Sequence, residues 1–332
     1  MKKTVLAASV MCALALCSCG TGENDRSADS ADSNDHQQAW SYTDDIGTTV
    51  DLDHRPETIA SLLDGTTATL ISRGVDVAAS PLEDANDAMF EHAETDTGDI
   101  EGISTGTAMQ IDVEKLASVE PDLIVDATAG DELLAASANE DIEDIAPVVG
   151  LNTGGPDTES ILSSADRFAD ALTGDSGSGD DATDRYDTAA EELSAATREN
   201  PDVQVAVVMP TTNALWVNNP EVTPHLVTLN NLGVRFVPVS ASEQSTVSQS
   251  EEISWEEVTD FPADIILSYG MWPVSQPGWD RIGAVRSGQV HNLDDSEDWA
   301  GGFALYTYDN YAQIFSRLAE VIRMSTRVGD QV

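Results

Sequence analysis

Cysteine is missing from this chain after residue 19; Cys12, Cys17 and Cys19 are the only three. No disulfide framework can form among the residues that follow, so the fold must rest on its own hydrophobic core. Roughly 300 residues are ample for one large or two medium domains. Lysine is nearly absent as well: after Lys3 only Lys115 remains. Against 15 lysines and arginines stand 60 carboxylates, a formal charge of −45. A surface of that sign repels phosphate backbones and anionic headgroups, which excludes a nucleic-acid function. It suits solubility in a salty or acidic habitat, and equally the attraction of a cationic ligand; the charge is too diffuse to locate a site. No apolar run beyond the opening segment is long enough to cross a bilayer as a helix. There is no phosphate-cradling glycine loop and no metal-hydrolase motif.

The opening segment has the grammar of a secretory signal peptide over residues 1–18. Lys2 and Lys3 form a positive n-region, Thr4 to Leu16 is a short apolar stretch, and small residues follow. Its end, Leu16-Cys17-Ser18-Cys19-Gly20, resembles a bacterial lipobox, which implies cleavage before Cys19 and lipidation of that cysteine. Cys17 fits worse, because Leu16 would then occupy the small-residue position. Stable anchoring needs more than one acyl chain, which a diacylated or triacylated cysteine supplies. Residues 20–38 are rich in Ser, Asp and Asn and lack apolar periodicity. Residues 19–39 therefore read as a lipidated, disordered tether on the outer face of the cytoplasmic membrane.

From Trp40 onward the pattern is that of folded structure. WSYTDDIGTTVDL suggests a hairpin around Asp45-Ile46-Gly47. Strands are then expected at 58–63, 75–79, 122–127 and 145–151. Helices are expected at 66–73 (closed by Gly74), 111–119 (with Asp112 as N-cap) and 131–137. This β-α-β succession argues for a parallel sheet covered by helices. Residues 157–200 turn helical, broken by the acidic Gly/Ser stretch 174–181. After Pro201 the alternation returns, with strands at 203–209, 235–240, 263–269 and 289–293. Helices are expected at 226–232, 253–258, 279–285 and 305–324. The fold class is thus α/β. Residues 40–156 form an N-terminal lobe, 157–200 are connecting helices, and 201–332 form a C-terminal lobe.

Four phrases in this order resemble the periplasmic-binding-protein family of ABC importers that handles iron-siderophores, haem and cobalamin: TDDIGTTVDLDHRPETIASL (43–62), MQIDVEKLASVEPDLIVDAT (109–128), ISWEEVTDFPADIILSYG (253–270) and WDRIGAVRSGQVHNLDD (279–295). The resemblance covers about residues 40–325. It implies two Rossmann-like α/β lobes joined by a single long backbone helix, a ligand cleft between them, and no catalysis. It also implies partners: a permease and its ATPase, to which the ligand is delivered. Family members dock onto the permease through one acidic residue per lobe. Glu132 matches the first position roughly, beside Asp131, and Glu221 stands for the second. No cofactor is expected beyond the transported iron chelate, and the chain is expected to be a monomer.

Open α/β sheets bind ligands beyond the carboxyl ends of their strands. Applied here, that rule selects Asp64, Thr66, Thr67, Ser104, Thr105 and Thr128 in the first lobe. In the second it selects Asn213, Trp216, Ser240, Tyr269, Met271 and Trp272, followed by Trp299, Phe303 and Tyr306 near the terminal helix. Of the 18 aromatic residues 13 lie beyond residue 200, so the second lobe is expected to supply most of the aromatic wall. Trp255 and Trp279 are assigned to packing. Arginine is missing from these loops, whereas family members that capture anionic ferric catecholates or citrate usually do so with arginines. A neutral or cationic ligand is therefore favoured, such as a ferric hydroxamate. Haem, with Tyr269, Tyr306 or His225 as axial ligand, and cobalamin are the alternatives. Direct Zn or Mn binding finds no convincing pattern among His54, His92, His225 and His291. Gly102-Ile103-Ser104-Thr105-Gly106 matches the nucleophile elbow of serine hydrolases, but a polar stretch, not an apolar strand, precedes it.

Overall fold

The structure, a computed structural model, describes residues 39–93, 95–107, 109–139, 141–174, 180–239, 250–270, 274–294, 299 and 302–328. The expected signal peptide, Cys19 and the tether lie outside the described residues.

The chain enters through the antiparallel hairpin β1 (Trp40–Thr43) and β2 (Thr49–Leu52). Asp44 closes its turn by accepting the N–H groups of Ile46 and Thr48, and reaches on to the N–H of Gly150. The first-lobe strands are β3 (Ile59–Ser61), β4 (Ala79–Ser80), β5 (Glu101–Gly102), β6 (Leu123–Ala129), β7 (Glu132–Leu133) and β8 (Val148–Asn152). They pair in the order β5-β4-β3-β6, and both β7 and β8 pair with β6; only β7 runs antiparallel. The helices α1 (Asp64–Ile71), α2 (Asp87–His92) and α3 (Val113–Ser118) lie between these strands in sequence. Two signals read from the sequence hold here. Asp112 caps α3 by accepting from the Lys115 N–H at 3.1 Å. Gly74 takes the left-handed conformation (φ 77°) that turns the chain after α1.

Helix α4 (Thr158–Thr173) connects the lobes. Its sixteen residues extend about 24 Å. Ala165, Phe168, Ala169 and Leu172 pack into the first-lobe core, and Leu162 into that of the second. Helix α5 (Asp180–Glu199) belongs to the second core through Tyr186, Ala189, Leu193 and Ala196.

The second sheet contains β9 (Gln204–Pro210), β10 (Ala214–Asn218), β11 (Arg235–Phe236), β12 (Ser250–Ser254), β13 (Ile265–Ser268) and β14 (Val290–Asn292), in the order β12-β10-β9-β13-β14, with β11 also on β9. Its helices are α6 (Pro224–Asn231), α7 (Gly283–Arg286) and α8 (Tyr308–Met324). The mixed α/β architecture expected from the sequence is present. Three expected helices fail. Residues 279–285 are not one helix: a 3-10 turn at Trp279–Arg281 is broken by extended Ile282 before the four-residue α7. Residues 253–258 are not a helix: Ile253 and Ser254 end β12, paired with β10, and a 3-10 turn follows at Val258–Asp260. Residues 131–137 are not a helix either. The fully buried carboxylate of Asp126 accepts the N–H groups of Ala135 and Ala136 and draws the segment back over the sheet, leaving β7 and a 3-10 turn at Ala136–Ala138. No helix among the described residues is long and apolar enough to cross a membrane.

Candidate functional site

A cavity of about 350 Å³ opens between the lobes, lined by Asn86 and Met89 of the first and by Asn218, His225, Tyr269, Leu293 and Asp294 of the second. Gly302, Phe303, Ala304 and Tyr306 complete it. Strand alternation explains the second-lobe wall. Leu215 and Val217 of β10 face one core, so Trp216 and Asn218 face the other side of the sheet. Tyr269 follows β13 on that same side and donates its O–H to Asn218 Oδ1 at 2.9 Å. Asp294 follows β14, and its Oδ2 accepts the Gly270 N–H at 2.7 Å.

The segment 302–306 is held from both lobes. In the first turn of α8, Asn310 donates to the carbonyls of Gly302 and Leu305, and the Tyr311 O–H to that of Phe303. From the first lobe, Thr69 Oγ1 accepts the Tyr306 N–H and Arg73 donates to the Tyr306 carbonyl at 2.9 Å. Arg73 also pairs with Asp166 of α4 at 2.8 Å. Leu305 inserts among Ala68, Met89 and Phe90. The backbone comes so near that a Cβ on Gly65 would stand 2.6 Å from the Ala304 carbonyl oxygen, so only glycine fits there. The lobes are thus joined by this strap as well as by α4.

The site is aromatic and electronegative. His225 stacks on Phe303, centroids 4.1 Å apart and planes 14° apart. Burial lowers the His225 pKa to about 3, so the ring is neutral near neutral pH. Burial pushes the Tyr306 phenol up to about 12 and also raises that of Tyr269. Partial desolvation raises the Asp294 carboxyl, opposed by the Gly270 N–H. Among the described residues no lysine or arginine lines the cavity. Its lining residues fall in four sequence stretches, 74–114, 199–234, 236–280 and 287–316, none of which contains a lysine or arginine. Among the described residues no cluster of three or more His, Cys, Asp or Glu is arranged to hold a metal ion.

Of the residues selected from the sequence, Tyr269, Phe303 and Tyr306 meet at this cavity. Asp64, Thr66, Thr67 and Thr128 do not reach it, being buried beneath the surface. Asp64 accepts from Ser80 Oγ, the N–H groups of Leu82 and Glu83, and Asn86 Nδ2, all at 2.8–2.9 Å. It therefore acts on the cavity through Asn86. Thr67 shares a hydrogen bond with Ser80. Ser104 and Thr105 sit in a turn away from the cavity, where Ser104 Oγ accepts the Gly106 N–H. The two-residue β5 before that turn and the late start of α3 do not make a nucleophile elbow. Asn213 is exposed at the β9–β10 turn, and Trp216 stands beside the cavity without lining it. Trp299 is corrected to the core: it is 1% exposed and meets His291 edge to face. Ser240, Met271 and Trp272 lie outside the described residues. Glu132 and Glu221 are both exposed, Glu132 on β7 rather than on a helix.

The residues missed are Asn86, Met89, Asn218, Leu293, Asp294, Gly302 and Ala304. The strand-end rule, applied to QVHNL as it was to the other strands, reaches Leu293 and Asp294. Asn218 needed β10 to be recognised as a strand.

Two α/β lobes, a connecting helix and a cavity between them define a solute-binding protein. The chain belongs to the periplasmic binding protein family, whose profile matches residues 58–297. The resemblance read from the four phrases is thereby borne out, and the family is extracytoplasmic. Among solved structures the chain is similar to DesE, a ferric-siderophore receptor protein from Streptomyces coelicolor, with 24% identity and a TM-score of 0.75 over 87% of this chain and 99% of that one. It is similar to the catecholate-siderophore binding protein VctP from Vibrio cholerae, with 14% identity and a TM-score of 0.61 over 85% and 99% of the two chains. It is also similar to FhuD from Vibrio cholerae, solved with Fe3+-Desferal, with 15% identity and a TM-score of 0.58 over 80% and 99%. At these identities the likeness is one of fold. No curated protein matches the sequence.

Proposed function

We propose that this protein is the solute-binding component of an ABC importer, anchored through a lipid on Cys19, and that it captures a neutral or cationic ferric siderophore of hydroxamate type. It delivers that chelate to a permease and its ATPase and turns over no bond in it. The observation that carries the reading is the cavity itself: among the described residues it presents aromatic and amide groups and one carboxylate, and no stretch that contributes to it contains a lysine or arginine. A tris-catecholate ferric complex bears a large negative charge and finds nothing here to offset it, whereas a ferric trihydroxamate is neutral at its metal centre. DesE is a ferric-siderophore receptor, FhuD was solved with Fe3+-Desferal and VctP binds catecholate siderophores, so the likeness supports a ferric siderophore in general and the hydroxamate class rests on the cavity.

Fluorescence titration of the purified protein tests this. Ferrioxamine B is expected to quench with sub-micromolar affinity and ferric enterobactin to bind far more weakly. The reverse order overturns the reading. Haem is the second reading, favoured by the presence of neutral His225 with Tyr269 and Tyr306 at one cavity. A haem titration that develops a shifted Soret band in wild type and loses it in His225→Ala would establish it. Haem and cobalamin belong in the same panel.

For docking, charge reversal at Glu132 or Glu221 is expected to lower uptake and leave chelate affinity unchanged. Unaltered transport removes the residue from that role. For the anchor, Cys19→Ser is expected to move the protein from the membrane to the soluble fraction.

A further inference from the structure

Among the described residues the cavity holds one carboxylate, Asp294, with one oxygen unused. Asp294 is fixed from two strand ends: its Oδ2 accepts the Gly270 N–H at 2.7 Å after β13, and its own N–H donates to Asn292 Oδ1 at 3.2 Å in β14. Among the described residues Oδ1 has no partner. The sequence supplies none nearby, since 287–316 contains no lysine or arginine. Several described cations are engaged elsewhere. Arg73 pairs with Asp166, Arg167 with Asp45, Arg185 with Asp309 and Arg323 with Glu199. Lys115 donates to the Gly102 carbonyl and Arg281 to that of Trp255.

The same cavity presents three aromatic rings, Tyr269, Phe303 and Tyr306, and an imidazole that adds no positive charge. A bare metal cation fits this lining poorly, because hard cations gather six or more oxygen ligands and usually several carboxylates. An organic ammonium fits it well: one carboxylate answers its charge and aromatic faces accept its remaining surface.

We propose that Asp294 is a specificity-determining residue that receives a primary ammonium carried on the ligand. The preferred solute is then a ferric trihydroxamate with a free amine at one end, a monocation rather than a neutral chelate. This inference rests on the siderophore reading above and narrows it. The diffuse acidity of the whole chain attracts any cation, but it acts over a screened distance, whereas a contact inside the cavity persists in salt.

Calorimetric titrations at about 1 M salt, where the screening length is about 3 Å, separate the two. The probes are ferrioxamine B, which carries a terminal amine, and its N-acetylated form, which is neutral and otherwise the same chelate. Wild type is expected to bind the amine form tighter by about tenfold or more. In Asp294→Asn the two affinities become equal, through loss of affinity for the amine form alone. Asp280→Asn, an exposed carboxylate of the same lobe, leaves the wild-type preference in place. Equal binding of both probes by wild type overturns the inference and leaves the siderophore reading standing. A preference that survives in Asp294→Asn overturns it too, because the charge is then read elsewhere. If neither chelate binds wild type, the siderophore reading fails and takes this inference with it.

Discussion

Asp64 shows how a single residue can be chosen for the right neighbourhood and the wrong task. It sits just past a strand end, where ligand-binding groups are expected, yet it faces inward and accepts four hydrogen bonds from the 80–86 loop. Asp64→Asn replaces half of that acceptor with a donor and leaves backbone N–H groups of Leu82 or Glu83 unmatched. The expected loss of stability is about 2–4 kcal/mol, read as a lower denaturant midpoint, and chelate affinity falls with it because Asn86 is no longer held. An unchanged midpoint would contradict the assignment. His225 makes a second residue-scale prediction. Its folded pKa of about 3 lies below the ordinary 6.5. Above pH 6.5 the ring is neutral in both states and stability does not depend on it. As pH falls below 6.5 the unfolded chain takes up a proton that the folded chain refuses, and stability drops by about 1.4 kcal/mol per pH unit until the folded ring titrates. His225→Gln removes this component. The wild-type and variant unfolding curves should therefore run parallel from pH 7 to 8 and diverge between pH 6 and 4.

Elements were legible where local signals and tertiary demands agree. The Asp112 cap, the Gly74 stop and the amphipathic α8 are all local, and all stand where the sequence places them. Residues 253–258 were illegible because their conformation is set by β10, which follows β9 after only Thr211, Thr212 and Asn213 and hides as an extension of that strand. Residues 131–137 were illegible because a buried carboxylate, Asp126, bonded to N–H groups nine and ten positions further on, decides their path. The strap 302–306 was invisible for a related reason: its partners Gly65, Thr69 and Arg73 are more than 200 positions away in sequence. Yet this element carries Phe303 and Tyr306 into the cavity. Gly65→Ala tests it, since the new methyl would meet the Ala304 carbonyl at 2.6 Å and the backbone there must shift. A destabilisation of about 1–3 kcal/mol is expected, with weaker chelate binding and faster hydrogen exchange at 302–306. Retention of wild-type affinity and protection would mean that the strap does not shape the cavity.

At the scale of the whole molecule the governing quantity is charge. Sixty carboxylates face 15 cations, so most have no partner, and folding crowds them together. The ion pairs that do form sit mostly at the surface, as between Arg185 and Asp309 or Arg235 and Asp202, where each is worth about 0–1 kcal/mol. Repulsion therefore outweighs attraction, and the two respond to salt with opposite sign. In a protein held by surface pairs, added salt lowers stability; here it screens a net repulsion and raises it. The melting temperature is expected to climb steadily between about 10 mM and 1 M sodium chloride as the screening length shrinks from about 30 Å to about 3 Å. A falling melting temperature over that range would mean that the few cations, Arg73 between α1, α4 and the strap foremost among them, hold the lobes more strongly than the carboxylates push them apart. Over the same series the affinity for an amine-bearing chelate should fall only by the share owed to the distant acidic surface and then level off near 1 M, because the contact inside the cavity lies within bonding distance and is spared by screening.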